Sequence, residues 1–255
     1  MFLISIRKHL ADPHDFSSSD YLLFFRKTGD ANLFEPVPDF FSHISGKRLL
    51  VAIHGYNNPF KDVISSYEEI EKLEKKYGSD DYDEIVGFAW PSGNSSVDYY
   101  SARERAVAAS DRLRKWINRL LEHADSVDVI AHSMGAQLGI NMLNAGLDRP
   151  LRYVFSLAPA INTNDLVQFG DRLNQFQNNF ERVLLFHNPG DAVLKYAYSI
   201  AERSASIGLN GVVNLKAIQN KIISIDCSGH VASHQSYFHS PFIFRMIHEF
   251  LEQSK

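Results

Sequence analysis

The stretch Val127–Gly135 reads VDVIAHSMG, and a helical pattern, Ala136–Ala145, follows it directly. Val127, Val129, Ile130 and Ala131 make a short apolar strand that runs into Ser133 and then, without a spacer, into the helix. Strand, serine and helix in immediate succession form the sharp turn that lifts a nucleophile above a sheet. So tight a turn needs small neighbours, and Ala131 and Gly135 stand two residues to either side of Ser133. Glycine is the usual residue at the first of these positions, and alanine adds little bulk. The alternative is that Ser133 merely caps the helix Met134–Ala145. The rest of the chain bears on that choice.

Working outward, five more apolar runs have the look of strands buried on both faces of a parallel sheet. They are Arg48–His54, Glu84–Trp90, Leu151–Leu157, Glu181–His187 and Lys221–Asp226. Helical periodicity falls between them: Lys61–Tyr77, Val97–His123, a polar Asn162–Asn178, and Ala192–Ile207, with Phe242–Leu251 closing the chain. Near the start, Phe2–Ile6 and Tyr21–Lys27 read as strands. The polar loop Asp12–Asp20 between them is too short for a crossover helix, which predicts an antiparallel pair. Glu35–Phe41, with two prolines, reads as a loop, as does Leu209–Leu215. The pattern predicts one α/β domain over residues 1–255, with a mostly parallel sheet of about eight strands covered by helices on both faces. Between Leu157 and Glu181 there is room for one helix and no large lid.

Composition narrows the function. The chain has 255 residues, is 45% hydrophobic and 22% charged, and carries a net charge of −4 without a basic block. That disfavours nucleic acid or an anionic membrane as the main partner. The single cysteine, Cys227, allows no internal disulfide and suggests a reducing, cytoplasmic setting. The opening MFLISIRKHL has too short an apolar run for a signal peptide, with its basic residues on the wrong side. No run approaches a membrane span, so stable membrane insertion is not expected.

In an open α/β sheet, ligands gather beyond the carboxyl ends of the strands. A serine becomes a nucleophile only beside a base, which in turn needs an orienting acid. In this fold the chain order is serine, acid, histidine. Ser133 is followed by Asp191, in Asn188-Pro189-Gly190-Asp191 past a strand, and then by His230, His234 and His239 past the last strand. Asp191 could instead cap the next helix. Asp165 is the reserve acid, and Asp226 sits too close to the histidine loop. Gly229 offers a turn that leaves His230 at the bend and lets His234 fold back over Ser133, so His234 is the expected base. His239 precedes Ser240-Pro241 and is expected to cap the closing helix or face solvent. His230 and His234 lie four apart, but Gly229 and the surrounding serines argue against the helix that would align them, so no metal or other cofactor is expected. The oxyanion hole requires two backbone N–H groups, expected from Met134 and from Tyr56 in the His54-Gly55-Tyr56 loop. His54 precedes the serine and is expected to hold that loop. Trp90 is either a pocket wall or core, and Arg103-Glu104-Arg105 reads as a solvated helix face, with a role for Arg103 near the site as the alternative.

At these residues the chain resembles the α/β-hydrolase superfamily, and within it a bacterial family of serine-hydrolase-like proteins of unknown function. The matching residues are His54-Gly55-Tyr56-Asn57-Asn58, Trp90-Pro91-Ser92, Tyr100 with Arg103-Glu104, Ala131–Gly135, Asp191, and His234 with Tyr237-Phe238. The chain departs from the family at Ala102, where an aspartate is usual, and in the spacing after His234. The resemblance implies the fold and a Ser-His-Asp triad, but not a substrate.

The expected activity is therefore that of a carboxylesterase-like serine hydrolase acting on a small-molecule or acyl ester through an acyl-enzyme. A thioesterase or amidase is one alternative, and a non-catalytic binding or scaffold protein on the same fold is another. A membrane-active lipase would need an exposed apolar lid, for which the sequence gives no sign.

Overall fold

The strands end where their apolar runs end. In the computed structural model, which describes residues 1–28, 31–78, 81–95, 97–162, 178–212 and 221–254, the runs become β4 (Arg48–Ile53), β5 (Glu84–Ala89), β6 (Ser126–His132), β7 (Leu151–Leu157), β8 (Phe180–His187) and β9 (Ile222–Asp226). With β1 (Phe2–Arg7), β2 (Phe16–Thr28) and β3 (Ala31–Pro36) they form one sheet, ordered β3-β2-β1-β5-β4-β6-β7-β8-β9. β1 pairs parallel with β5, and the pairings from there to β9 are all parallel. β1 and β2 are antiparallel, as their short connection requires.

The described residues thus hold nine strands rather than about eight. The additional one is β3, whose first four residues have no element assigned from the sequence and whose last two, Glu35 and Pro36, begin the stretch read as a loop. It pairs antiparallel with β2, Phe24 opposite Glu35, at the edge of the sheet. An edge strand has one side without ladder bonds, so a proline there forfeits little.

Helices cover both faces. Alternation along β4 sends Leu49, Val51 and Ile53 into one apolar layer and Leu50 and Ala52 into the other. The first layer is closed by α1 (Phe40–Ile44), α3 (Tyr99–His123) and α4 (Met134–Asn144), through residues such as Phe40, Leu113 and Leu138. The second is closed by α2 (Phe60–Tyr77) and the final helix Pro241–Gln253, through Val63, Tyr67, Ile243 and Ile247. The helix expected over Ala192–Ile207 is shorter and irregular. It is π-helical over Val193–Tyr198 and α-helical over Ser199–Glu202, and it stops where Arg203 adopts φ 50°. A short helix, Ile207–Asn210, follows. The polar helix expected over Asn162–Asn178, the reserve acid Asp165 and much of the segment judged too short for a lid fall outside the described residues. No described helix is long and apolar enough to cross a membrane.

One buried acid lies at the end of the sheet away from the strand carboxyl termini. Glu74 on α2 is 6% exposed. Burial, reinforced by the charge of nearby Asp81, raises its carboxyl to about 8. Its native pKa exceeds that of the unfolded chain, so its contribution is present in acid and is lost as pH rises through that value. Glu74→Gln should therefore be more stable than the parent at about pH 9, with the difference vanishing near pH 4. Urea unfolding across that range measures it, and equal midpoints at the alkaline end would refute it.

Candidate active site

Ser133 stands where β6, an interior strand between β4 and β7, runs into α4. Ser133 adopts φ 56° and ψ −120°, a conformation that side-chain-bearing residues rarely take. Three backbone bonds hold it. Its N–H donates to Leu157 O at 2.9 Å, and its carbonyl accepts from Ala136 N at 3.0 Å and Ala160 N at 3.2 Å. Gly135 is required by contact. A Cβ there would overlap the carbonyl oxygen of His54 and stand 2.9 Å from that of Ile53.

The loop after β9 turns at Gly229, which has φ 76°, and brings His234 over Ser133. His234 Nε2 lies 2.9 Å from Ser133 Oγ, and His234 Nδ1 lies 2.7 Å from Asp191 Oδ2. All three side chains are buried. Asp191 meets the imidazole and the following helix with different oxygens. Oδ2 faces the imidazole, while Oδ1 accepts from the N–H groups of Val193 and Leu194, each at 3.1 Å. Ser233 and Ser236 form a reciprocal capping box at the start of the 3₁₀ turn His234–His239, which fixes the backbone that presents the imidazole. The other two histidines are not brought in this way. His230 is exposed and stacks on Phe242, with ring centroids 4.0 Å apart, and His239 is exposed at the cleft mouth.

Tyr56 and Met134 lie beside Ser133 in the same cleft. Neither backbone N–H has an acceptor among the described residues. The loop carrying Tyr56 is anchored at several points. The Tyr56 hydroxyl donates to Ser95 O, Asn57 N–H donates to Ser92 O at 3.0 Å, and Asn57 itself takes φ 54°. His54 holds this loop as expected. Trp90 proves to be core, fully buried and stacked on the His54 ring at 5.6 Å.

Two contributions were not read from the sequence. His132 packs its ring against His234, with centroids 4.7 Å apart, and burial holds it well below the usual histidine range. Its position beside the serine is the only signal the sequence offers. Arg103, read as part of a solvated helix face, is instead engaged in contacts at the start of α3 together with two tyrosines. Tyr99 donates to Glu202 Oε1 at 2.9 Å, Tyr100 donates to the carbonyl of Ala201 at 2.9 Å, and Arg103 pairs with Glu202 at 3.1 Å. Together they fasten the helix that follows Asp191.

That helix forms one wall of a cleft of about 660 Å³ above Ser133. The wall is apolar, built from Val193, Leu194, Ala197 and Tyr198, with Ala160 and Phe238 near its base. The opposite wall is polar, with Asn57, Asn58, Asp62, Ser65 and Ser66. Among the described lining residues, Asp62 is the one carboxylate and none is a lysine or arginine. On its outer side the helix exposes Tyr196 and Ile200, apolar surface that the sequence did not announce. A set of side chains with metal-ligand spacing, Asp81, His248 and Glu252, lies at the far end of the sheet and contributes nothing to this cleft.

With this geometry in hand, the comparisons with known proteins are specific about family and silent about substrate. A family model described as "Alpha/beta hydrolase of unknown function (DUF900)" matches residues 33–246. The "Uncharacterized protein alr1448" of Nostoc sp. is 28% identical over 119 residues, 38% of this chain and 31% of its own. The chain thus spans about a third of that curated relative. Among solved structures, an uncharacterized protein from Bacillus cereus aligns with a TM-score of 0.52 at 11% identity, over 90% of this chain and 65% of that one. Protein ATU1826 of unknown function from Agrobacterium tumefaciens aligns at 0.50 and 14%, over 93% and 92%. At such identities the likeness shows the fold alone.

The double role of Asp191 can be separated by substitution. Asp191→Asn keeps an oxygen for the two N–H groups and should leave stability within a few tenths of a kcal/mol. Asp191→Ala removes the cap and should cost about 1 kcal/mol. Denaturant midpoints of the two variants test this, and equal loss in both would show that the cap bonds are not what matters.

Proposed function

We propose, for a chain that belongs to the DUF900 family of α/β hydrolases, that it is a serine hydrolase cleaving a carboxylic ester through an acyl-enzyme. The observation that carries this reading is the continuous relay Asp191–His234–Ser133, with separations of 2.7 and 2.9 Å. Ser133 Oγ attacks the ester carbonyl while His234 Nε2 takes its proton. Asp191 accepts from Nδ1–H and so keeps Nε2 bare for that task. The tetrahedral oxyanion is received by the N–H groups of Tyr56 and Met134, each worth about 3 kcal/mol of barrier. His234 then returns the proton to the departing alcohol, and a water repeats the sequence to free the acid.

The two walls suggest the substrate class. The apolar helix suits a short or medium acyl chain, and the polar wall suits the alcohol. The described lining offers no cation, so an anionic leaving group, such as the phosphorylated carrier of an acyl thioester, finds no partner there. A neutral or cationic polar alcohol fits beside Asp62. This favours an ester over a carrier-linked thioester, and an activated serine distinguishes both from a scaffold.

Labelling by a fluorophosphonate probe should mark wild type at Ser133. On the best ester of a graded-chain panel, which should be a short or medium one, Ser133→Ala should lose essentially all turnover while remaining folded. His234→Ala should lower kcat by roughly 10⁴–10⁶, and His230→Ala and His239→Ala far less. Retention of a few per cent of activity by pure Ser133→Ala would remove it as nucleophile. A preference for acyl-carrier thioesters would overturn the substrate class.

A further inference from the structure

Arg7, the last residue of β1, is fully buried, and the mechanism above makes no use of it. Its guanidinium is spent on neutral acceptors. Nε donates to Trp90 O at 2.9 Å, Nη2 donates to Asn58 O at 3.2 Å, and Nη2 also lies 3.4 Å from His54 Nε2. Nη1 has no acceptor among the described residues. Burial lowers the group only to about 10, so it is a cation at neutral pH. A buried cation that faces carbonyls and an imidazole is costly, and a methionine of similar length would pack there without that cost. All three acceptors belong to, or clamp, the loop that carries Tyr56.

The hydrogen bonds of His54 fix its proton. Nδ1 lies 2.9 Å from Gly55 O, which can only accept, so Nδ1 bears the hydrogen. Nε2 is then a bare acceptor, which agrees with the Trp90 N–H at 3.2 Å and the Arg7 donor. Trp90 Nε1–H closes the clamp on His54 O at 2.9 Å. Gly55 C=O and Tyr56 N–H belong to the same peptide unit. The described chain has no cis peptide, and in a trans unit these two groups point in opposite directions. With the carbonyl held on the His54 ring, the Tyr56 N–H is turned the other way. The loop has little freedom to tilt, because a Cβ on Gly55 would stand 3.1 Å from Ser133 Cβ.

We propose that Arg7 is a positioning residue for the oxyanion hole, acting through His54 and the Gly55 carbonyl to aim and polarise the Tyr56 N–H. The proposal rests on the hydrolase reading of Ser133. Each bond in the relay strengthens the next: the cation draws on Nε2, Nδ1–H becomes a better donor, and the Gly55–Tyr56 peptide is polarised toward its own N–H. The relay acts on the oxyanion and not on bound substrate, so its loss should appear in kcat and leave KM in place.

The test compares wild type, Arg7→Met, Arg7→Lys and His54→Phe on the best ester and on a trifluoromethyl ketone, whose adduct with serine places an oxyanion in the hole. Arg7→Met should lower kcat by about a hundredfold, leave KM within about threefold, and weaken the ketone in proportion to kcat. Arg7→Lys, with charge and one donor restored, should recover part of both. A folded Arg7→Met with wild-type kcat, or with reduced kcat and undiminished ketone affinity, overturns the proposal. If Arg7→Met does not fold, His54→Phe reads the same relay from its other end, and an unchanged kcat there overturns it equally. Amide hydrogen exchange separates this inference from the reading beneath it. Exchange over Gly55–Asn58 should quicken in Arg7→Met whether or not wild type turns over, and unchanged exchange counts against the relay. A wild type that takes no fluorophosphonate and cleaves no ester defeats the hydrolase reading instead.

Discussion

The backbone at Ser133 is the constraint on which the site depends. A side-chain-bearing residue at φ 56° and ψ −120° costs of order 1–3 kcal/mol, and surrounding structure must hold it there. It is held by bonds to Leu157, Ala136 and Ala160, which span β7, the start of α4 and the loop after β7. The first needs β7 in register beside β6, where His132 is opposite Leu157. The close approach of α4 to β4 needs the missing side chain of Gly135. Sheet register, helix packing and serine presentation are thus one arrangement.

The acid and the cleft are coupled in a similar way. Asp191 offers one oxygen to His234 and the other to the first turn of the helix that forms the apolar wall. The far end of that helix is tied to α3 through Glu202 and the carbonyl of Ala201. Whatever shifts the helix therefore acts on the carboxylate that orients His234. The π-helical turn between these two fastenings carries Leu194, Ala197 and Tyr198, which line the cleft.

What could be read from the sequence follows the range of each signal. Ser133 and its turn are written in nine consecutive residues. Asp191 and His234 are recoverable because chain order in a parallel sheet assigns each loop its place, and Gly229 marks the bend that separates His230 from His234. β3 escaped because its short run, ANLFEP, ends in a proline, which reads as loop unless the strand's place at the sheet edge is known. Arg7 escaped for a different reason. Its partners are 47 to 83 residues away and are neutral, so no opposite charge in the sequence points to it. Beside Lys8 it looks like any surface basic pair. Arg103 likewise looked solvated, because Glu202 lies about a hundred residues on.

Geometry, and not residue type, singles out one histidine as the proposed base. His54, His132, His234 and His239 all line the cleft. An imidazole can accept the serine proton only if the resulting cation is tolerated. His54 is held well below the usual histidine range, by burial first and then by the Arg7 cation. His132 is held down by burial first and then by His234. Both are fixed as neutral rings, one gripping a loop and the other packing against the base. His239 is exposed at the mouth. Only His234 combines a ring nitrogen 2.9 Å from Ser133 Oγ with a carboxylate 2.7 Å from the other nitrogen. In the proposed reaction an imidazolium there is neutralised as it forms, whereas at His54 it would stand beside a second buried cation. In the proposed reaction the charge of Arg7 thus adds to burial in keeping His54 a neutral ring, whose Nδ1 faces the Gly55 carbonyl at 2.9 Å.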